Sequence, residues 1–269
     1  MACFNAIDVA SRYPTGDAYA QRRSKDAEDF LIQVWQELGV SKYTQVDNEG
    51  CFSGGATHPY VIGKIVRLAL QAGTELVFSP VRHPQSNGFV ERFHQDYDKH
   101  VWEDTYLGSI PEVQAQGQHF FTLYRQRPHR RLNEQTPHAV HQIPERFPLD
   151  LKPASTRRSL YAGQLHFIRK VLTDNTISAL NVNWAVPNAK PDQGVWATLV
   201  LKTSGAKLIV FDAPPDVPTR KRLAIHRFNL SEPVLAHPLV SSREPVSVFS
   251  SALQLIARVL YGFVGGTMS

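Results

Sequence analysis

The chain has 269 residues, 42% hydrophobic and 20% charged, enough apolar material for two cores rather than one. Its 29 basic against 24 acidic side chains leave a net charge of +5, which favours a polyanionic partner over a polycationic one. Two cysteines, Cys3 and Cys51, form no zinc-ligand spacing and are too few for a secreted disulfide scaffold, and no basic-apolar-small leader opens the sequence. A reducing cytoplasm is the expected location.

Residues 3–10 and 14–20 predict paired strands around a Tyr13-Pro14 break. Ser24 is placed to cap a helix whose first turn carries Asp26 and Glu28 and whose buried stripe is Phe30, Leu31, Val34 and Leu38, with Gly39 ending it. A short strand over 43–47 runs into the turn-rich DNEGCFSGG, and a second helix is predicted over 59–72. The strand ELVF leads into the loop SPVRHPQSNG, a helix over 88–105 and another over 110–125, and Thr136-Pro137 opens one more. Strands interleaved with crossover helices predict an α/β core with a mixed sheet and flanking helices over residues 1–145.

Composition changes after Phe147. Residues 146–158 read as a proline-rich, basic linker, and 159–230 carry short strands with tight turns, the signature of a small all-β barrel. The remaining 231–269 form a tail in which Phe249, Leu253, Ile256, Leu260 and Phe263 follow helical spacing. Arg258 and Gln254 interrupt its apolar run, so no membrane span is expected.

Asp47 at a strand end and Glu91 in the first turn of a helix are the carboxylates that a hard cation would need. Taken alone, Asp47 reads better as a strand-terminal turn residue and Glu91 better as a solvated helix glutamate. The motifs QVDNEGCF, HPQSNGFVERFH and YRQRPHRRLNEQTPHAV, in this order, change that balance. From about residue 4 to residue 141 the chain resembles the integrase core shared by retroviral integrases and the Asp-Asp-Glu transposases of bacterial insertion sequences. GQLHFIRKV to KRLAIHRF is similar to the small β-barrel that follows the core in some of those transposases.

The resemblance implies a ribonuclease-H-like fold in which three acids hold two Mg²⁺ (or Mn²⁺) ions for cutting and joining DNA. Asp47 matches the second acid and Glu91 the third. Asn87 and Gly88 would shape the loop against the substrate, Arg92 and Lys99 would meet phosphates, and Arg130 and Arg131 add basic charge after a helix. IDVASRY matches the family's second strand, whose acid is not a ligand; Asp8 is therefore read as structural, tying down the turn at Ser11 and Arg12, and the first strand with its acid is expected to be missing. The implied partners are mobile-element ends, target DNA and further copies of the chain. Two roles follow: an integrase or transposase impaired by the lost acid, or a non-catalytic DNA-binding or oligomerisation regulator of a full-length transposase.

Overall fold

The computed structural model describes residues 1–54, 58–80, 88–103, 106–142, 151–237 and 254–261, with the backbone alone for 88–90 and 254–261. It divides into two compact units, one of residues 1–41, 83–153 and 249–269, the other of 42–82 and 154–248.

In the first unit, β1 (Ala2–Asp8) and β2 (Pro14–Tyr19) form an antiparallel hairpin in which Asn5 faces Gly16. The seven residues of β1 are all buried, so the strand is covered on both faces. Phe4 meets Phe30 of α1 (Ser24–Leu38) at a ring distance of 5.4 Å. Cys3 and Ile7 alternate to the other face, where α4 (Gly88–Val101) and α5 (Ile110–Gln126) contribute Phe93, Tyr97, Phe120, Phe121 and Tyr124. Ser109 caps α5 by accepting the Glu112 N–H at 3.4 Å, with Pro111 in the first turn. Thr136 does the same for the short α6 (Pro137–Val140). The predicted Ser24 cap is corrected: Arg23 holds the capping position, and its backbone N–H donates to Asp26 at 3.0 Å.

The helix α5 lies so close to β2 that Gly16 is obligatory. A Cβ there would fall 2.7 Å from Phe121 Cζ and 2.8 Å from the Phe4 carbonyl oxygen, as well as onto the Asn5 side chain. Gly16→Ala is expected to lower stability by about 1–3 kcal/mol, as overpacking does, and thermal melting checks it.

The tail departs from the sequence reading. Residues Gln254–Tyr261 are a strand, β11, paired antiparallel with β1 along the edge that β2 leaves open, Ala2 opposite Tyr261 and Asp8 opposite Leu255. This replaces the predicted helix over these residues. A run that is apolar at nearly every position fits either period, and pairing with a buried strand decides it. Phe249, Leu253 and Phe263 of the predicted helical stripe lie outside the described residues.

The second unit holds a mixed sheet. The strands β3 (Tyr43–Val46), β4 (Glu75–Phe78) and β5 (Gly163–Lys170) run parallel. From β5 the order continues antiparallel through β8 (Gly194–Lys202), β9 (Gly205–Phe211) and β10 (Arg222–Phe228). The strands expected in a separate barrel thus extend the sheet of β3 and β4, through a β4–β5 pairing that no local pattern announces. Two shorter strands, β6 (Thr176–Ala179) and β7 (Val182–Ala185), make a hairpin of their own. A single turn, α2 (Gly50–Ser53), follows Asp47 and Asn48, and α3 (Lys64–Ala72) precedes β4, starting later than the predicted residue 59. The α/β class with a mixed sheet and flanking helices is therefore the observed one.

Among the described residues, no helix is long and apolar enough to cross a membrane.

Candidate active site

Asp47 sits one residue beyond the end of β3, at the kind of strand end where open α/β sheets place ligands. Its Oδ1 accepts the Glu49 backbone N–H at 3.0 Å, a local turn that orients the carboxylate. Next to it, the Asn48 side-chain amide donates to the Ser79 carbonyl, and Asn48 Oδ1 accepts from Arg169 Nη2 at 2.8 Å. The ends of β3 and β4 are stitched further by Ser79 N–H to Val46 O at 2.9 Å and by Gln45 Nε2 to Ser79 Oγ at 2.8 Å. Sequence reasoning missed Arg169 and Asn48, because their partners are far apart in the chain and no spacing marks them.

Glu91 lies in the first turn of α4, half-buried, where the helix N-terminus favours a carboxylate. It belongs to the first unit and Asp47 to the second. Each offers carboxylate oxygen, the donor chemistry of a hard divalent ion. Among the described residues, no three His, Cys, Asp or Glu side chains gather as a metal-binding group. Gly88 is the first residue of α4, and Asn87 lies outside the described residues.

The basic residues separate into two kinds. Arg125 is committed to structure: it donates to the Pro14 carbonyl at 2.8 Å, pairs with Glu37 at 2.6 Å and lies 4.3 Å over the Tyr13 ring. Arg12, Arg92 and Arg127 instead share the electrostatic surroundings of Tyr124, whose hydroxyl is pushed up to about 12 chiefly by burial. Burial, with Arg131 beside it, holds the Arg12 guanidinium below its usual value. Burial, then Arg127 and Arg12, lowers the His129 imidazole, which favours its neutral form. Arg12, Arg92 and Arg127 thus act on Tyr124, and Arg131 on Arg12, against Asp96 and Asp8. Arg130 and Arg131 are exposed on the 3₁₀ turn 130–132, and Lys99 is exposed on α4.

Asp8 is occupied elsewhere. Its oxygens accept the Ala10 N–H at 3.2 Å, the Ser11 N–H at 3.0 Å and the Ser11 hydroxyl at 2.5 Å. With its one proton committed to Asp8, Ser11 Oγ accepts from His141 Nδ1 at 2.9 Å, and Tyr13 stacks on that imidazole at 4.4 Å. The hairpin turn is fixed by the same group of residues, with Arg12 at φ 62° and its N–H donating to the Asp8 carbonyl at 2.8 Å. Burial pushes the Asp8 carboxyl up, but the bonds from His141, Ser11 and the backbone amides outweigh it and leave it below the ordinary value. Trp184 is buried and donates to the Ala179 carbonyl at 3.0 Å, which places it in the core. Trp196 donates to His166 Nδ1 at 2.9 Å.

Comparison with known proteins finds similarity over part of the chain. The model of the integrase core domain family matches residues 72–137, which include Glu91, α5 and the arginine-rich turn. The ORF3 integrase candidate of Spiroplasma virus SpV1-C74 is 42% identical over 60 residues, 22% of this chain and 17% of that protein, so the match spans about a sixth of the relative's length. A simian T-cell lymphotropic virus intasome, solved with the PP2A regulatory subunit B56 gamma, covers 84% of this chain and 72% of its own, at 13% identity and a TM-score of 0.41. Over residues 72–137 the chain is thus similar to the integrase core domain family, and over 60 residues to the viral protein.

Proposed function

We propose that the chain is a DNA-joining protein of the integrase or transposase type. It would act on mobile-element ends and target DNA as a homo-oligomer, with Asp47 and Glu91 as two carboxylates of a Mg²⁺ (or Mn²⁺) site. The integrase-core match over residues 72–137, which contains Glu91 and the basic turn, carries this reading. When bound, such ions supply Lewis acidity at a phosphate oxygen and a more acidic water or hydroxyl. The protein's part is to hold the two carboxylates, with Asp47 oriented by the Glu49 amide, and to grip phosphates through Arg92, Arg130, Arg131 and Lys99. Gly88 and Asn87 would bring the loop before α4 against the DNA.

Asp8 contributes no ligand in this reading, because three donors already saturate its carboxylate. Residues 1–269 then offer two of the three acids that the chemistry uses, and we expect weak or no strand transfer from them alone. The same observation favours a second reading, a DNA-binding or oligomerisation regulator of a complete transposase.

The test is cleavage and joining of labelled donor ends into supercoiled plasmid in Mg²⁺ or Mn²⁺. Asp47→Asn and Glu91→Gln should each abolish metal-dependent nicking, and an Asp47→Asn protein that nicks like its parent would remove Asp47 from the site. Tight binding with no nicking in the parent favours the regulator. Binding should weaken steeply with salt, and Arg131→Ala should reduce the slope of log K against log salt by about one, measured by fluorescence anisotropy.

A further inference from the structure

We infer that Arg169 is a positioning residue for Asp47: from β5 its guanidinium clamps Asn48 and the end of β4, and so fixes the carboxylate at the end of β3. This rests on the reading of Asp47 as a metal ligand. Four bonds hold the guanidinium plane: Nε to Ser178 O at 2.8 Å, Nη1 to Ile168 O at 2.8 Å and to Ser79 O at 3.2 Å, and Nη2 to Asn48 Oδ1 at 2.8 Å. The Phe167 ring lies 5.3 Å from it. Asn48 returns a bond to the same Ser79 carbonyl, so Arg169, Asn48 and Ser79 close a triangle that spans the ends of three parallel strands.

None of the four acceptors is a carboxylate, and removal from water lowers this guanidinium to about 10. A cation withdrawn from water whose described acceptors are all neutral is costly, and a neutral side chain would hold a sheet together at less expense. What the guanidinium adds is a rigid planar fork that can hold three strand ends in fixed register, which a flexible lysine cannot reproduce. The clamp reaches Asn48, the residue between Asp47 and the Glu49 amide that orients it. Support of this kind around a ligand fixes its direction and its affinity for the metal.

Two opposed effects make the inference testable. By charge alone a nearby guanidinium repels a divalent ion, so losing it would strengthen binding; by geometry its loss weakens binding. Arg169→Lys keeps the charge and removes the fork. Asn48→Ala cuts the clamp from its half-buried end and covers the case in which the lysine variant fails to fold. In the full-length chain, both variants are expected to weaken Mn²⁺ binding, followed by electron paramagnetic resonance, by about tenfold. The double variant should be no worse than the weaker single one, because both cut the same contact. Hydrogen exchange at the Glu49 amide should accelerate by about tenfold in each, whether or not metal is present.

Unchanged exchange at Glu49 would overturn the clamp, and where Asp47→Asn loses the ion, so would Mn²⁺ affinity that is unchanged or stronger in Asn48→Ala. Asp47→Asn separates the two claims. If that variant binds Mn²⁺ as its parent does while exchange at Glu49 still responds to Arg169→Lys, the ligand reading of Asp47 fails and the clamp on the strand end stands.

Discussion

Glu232→Ala is expected to cost the second unit about 3 kcal/mol, read as a lower urea midpoint, because it strips a buried guanidinium of its carboxylate. Arg67, in the middle of α3, has a side chain only 2% exposed. It donates to the Ile62 carbonyl at 3.1 Å, to the Arg158 carbonyl at 3.0 Å, and to both oxygens of Glu232, one of them at 2.9 Å. One side chain therefore ties the approach to α3, the segment leading into β5 and the stretch after β10. The control is Arg157, which pairs with the same carboxylate at 2.8 Å but is 66% exposed. Arg157→Ala should cost less than about 1 kcal/mol, as exposed pairs do. Equal losses from Arg157→Ala and Glu232→Ala would show that burial of Arg67 is not what makes the contact matter.

The hydrogen bond to Arg67, working against burial and helped by both arginines' charge, holds Glu232 below the ordinary glutamate value. A depressed carboxyl stabilises the fold above its unfolded value, and that contribution is lost as pH falls through the folded one. The parent should thus lose stability below the ordinary carboxylate range, at about pH 4 and under, and Glu232→Ala should lose less over the same interval.

Asp8→Asn is the second large effect. An amide cannot accept from the Ala10 N–H, the Ser11 N–H and the Ser11 hydroxyl together, because one of its two arms is a donor. Losing charge-assisted bonds at a buried turn is expected to cost about 2 kcal/mol at neutral pH. The Asp8 carboxyl is also depressed in the fold, so the sign is the same: the gap between parent and variant closes as pH falls through the folded value. Mn²⁺ affinity should not change. A folded Asp8→Asn protein that has lost its ion would instead make Asp8 a ligand.

Much of the fold was legible where the signal is local. The apolar spacing of α1, the extent of α5, the cap at Thr136 and the strands at 43–46 and 75–78 are written in short stretches of chain. The strand β7 escaped because Val182–Ala185 is a run of only four residues, too short to show a period. The β4–β5 pairing escaped because composition at the linker argued for a new domain. At the site, Asp47 and Glu91 stood out by motif, whereas Arg169 and Arg67 did not. A lone arginine carries no sign of which distant carbonyls it will meet, and each of these finds partners about 90 or more positions away.

The pairing of β1 with β11 bears on how the molecule is made. Residues 2–8 emerge from the ribosome well before residues 254–261, the strand that lies along them. Until then a seven-residue, wholly apolar-flanked ladder edge is bare, the kind that recruits stray strands. The first unit therefore cannot close until residues 254–261 have been made, and nascent chains depend on being kept apart over that interval.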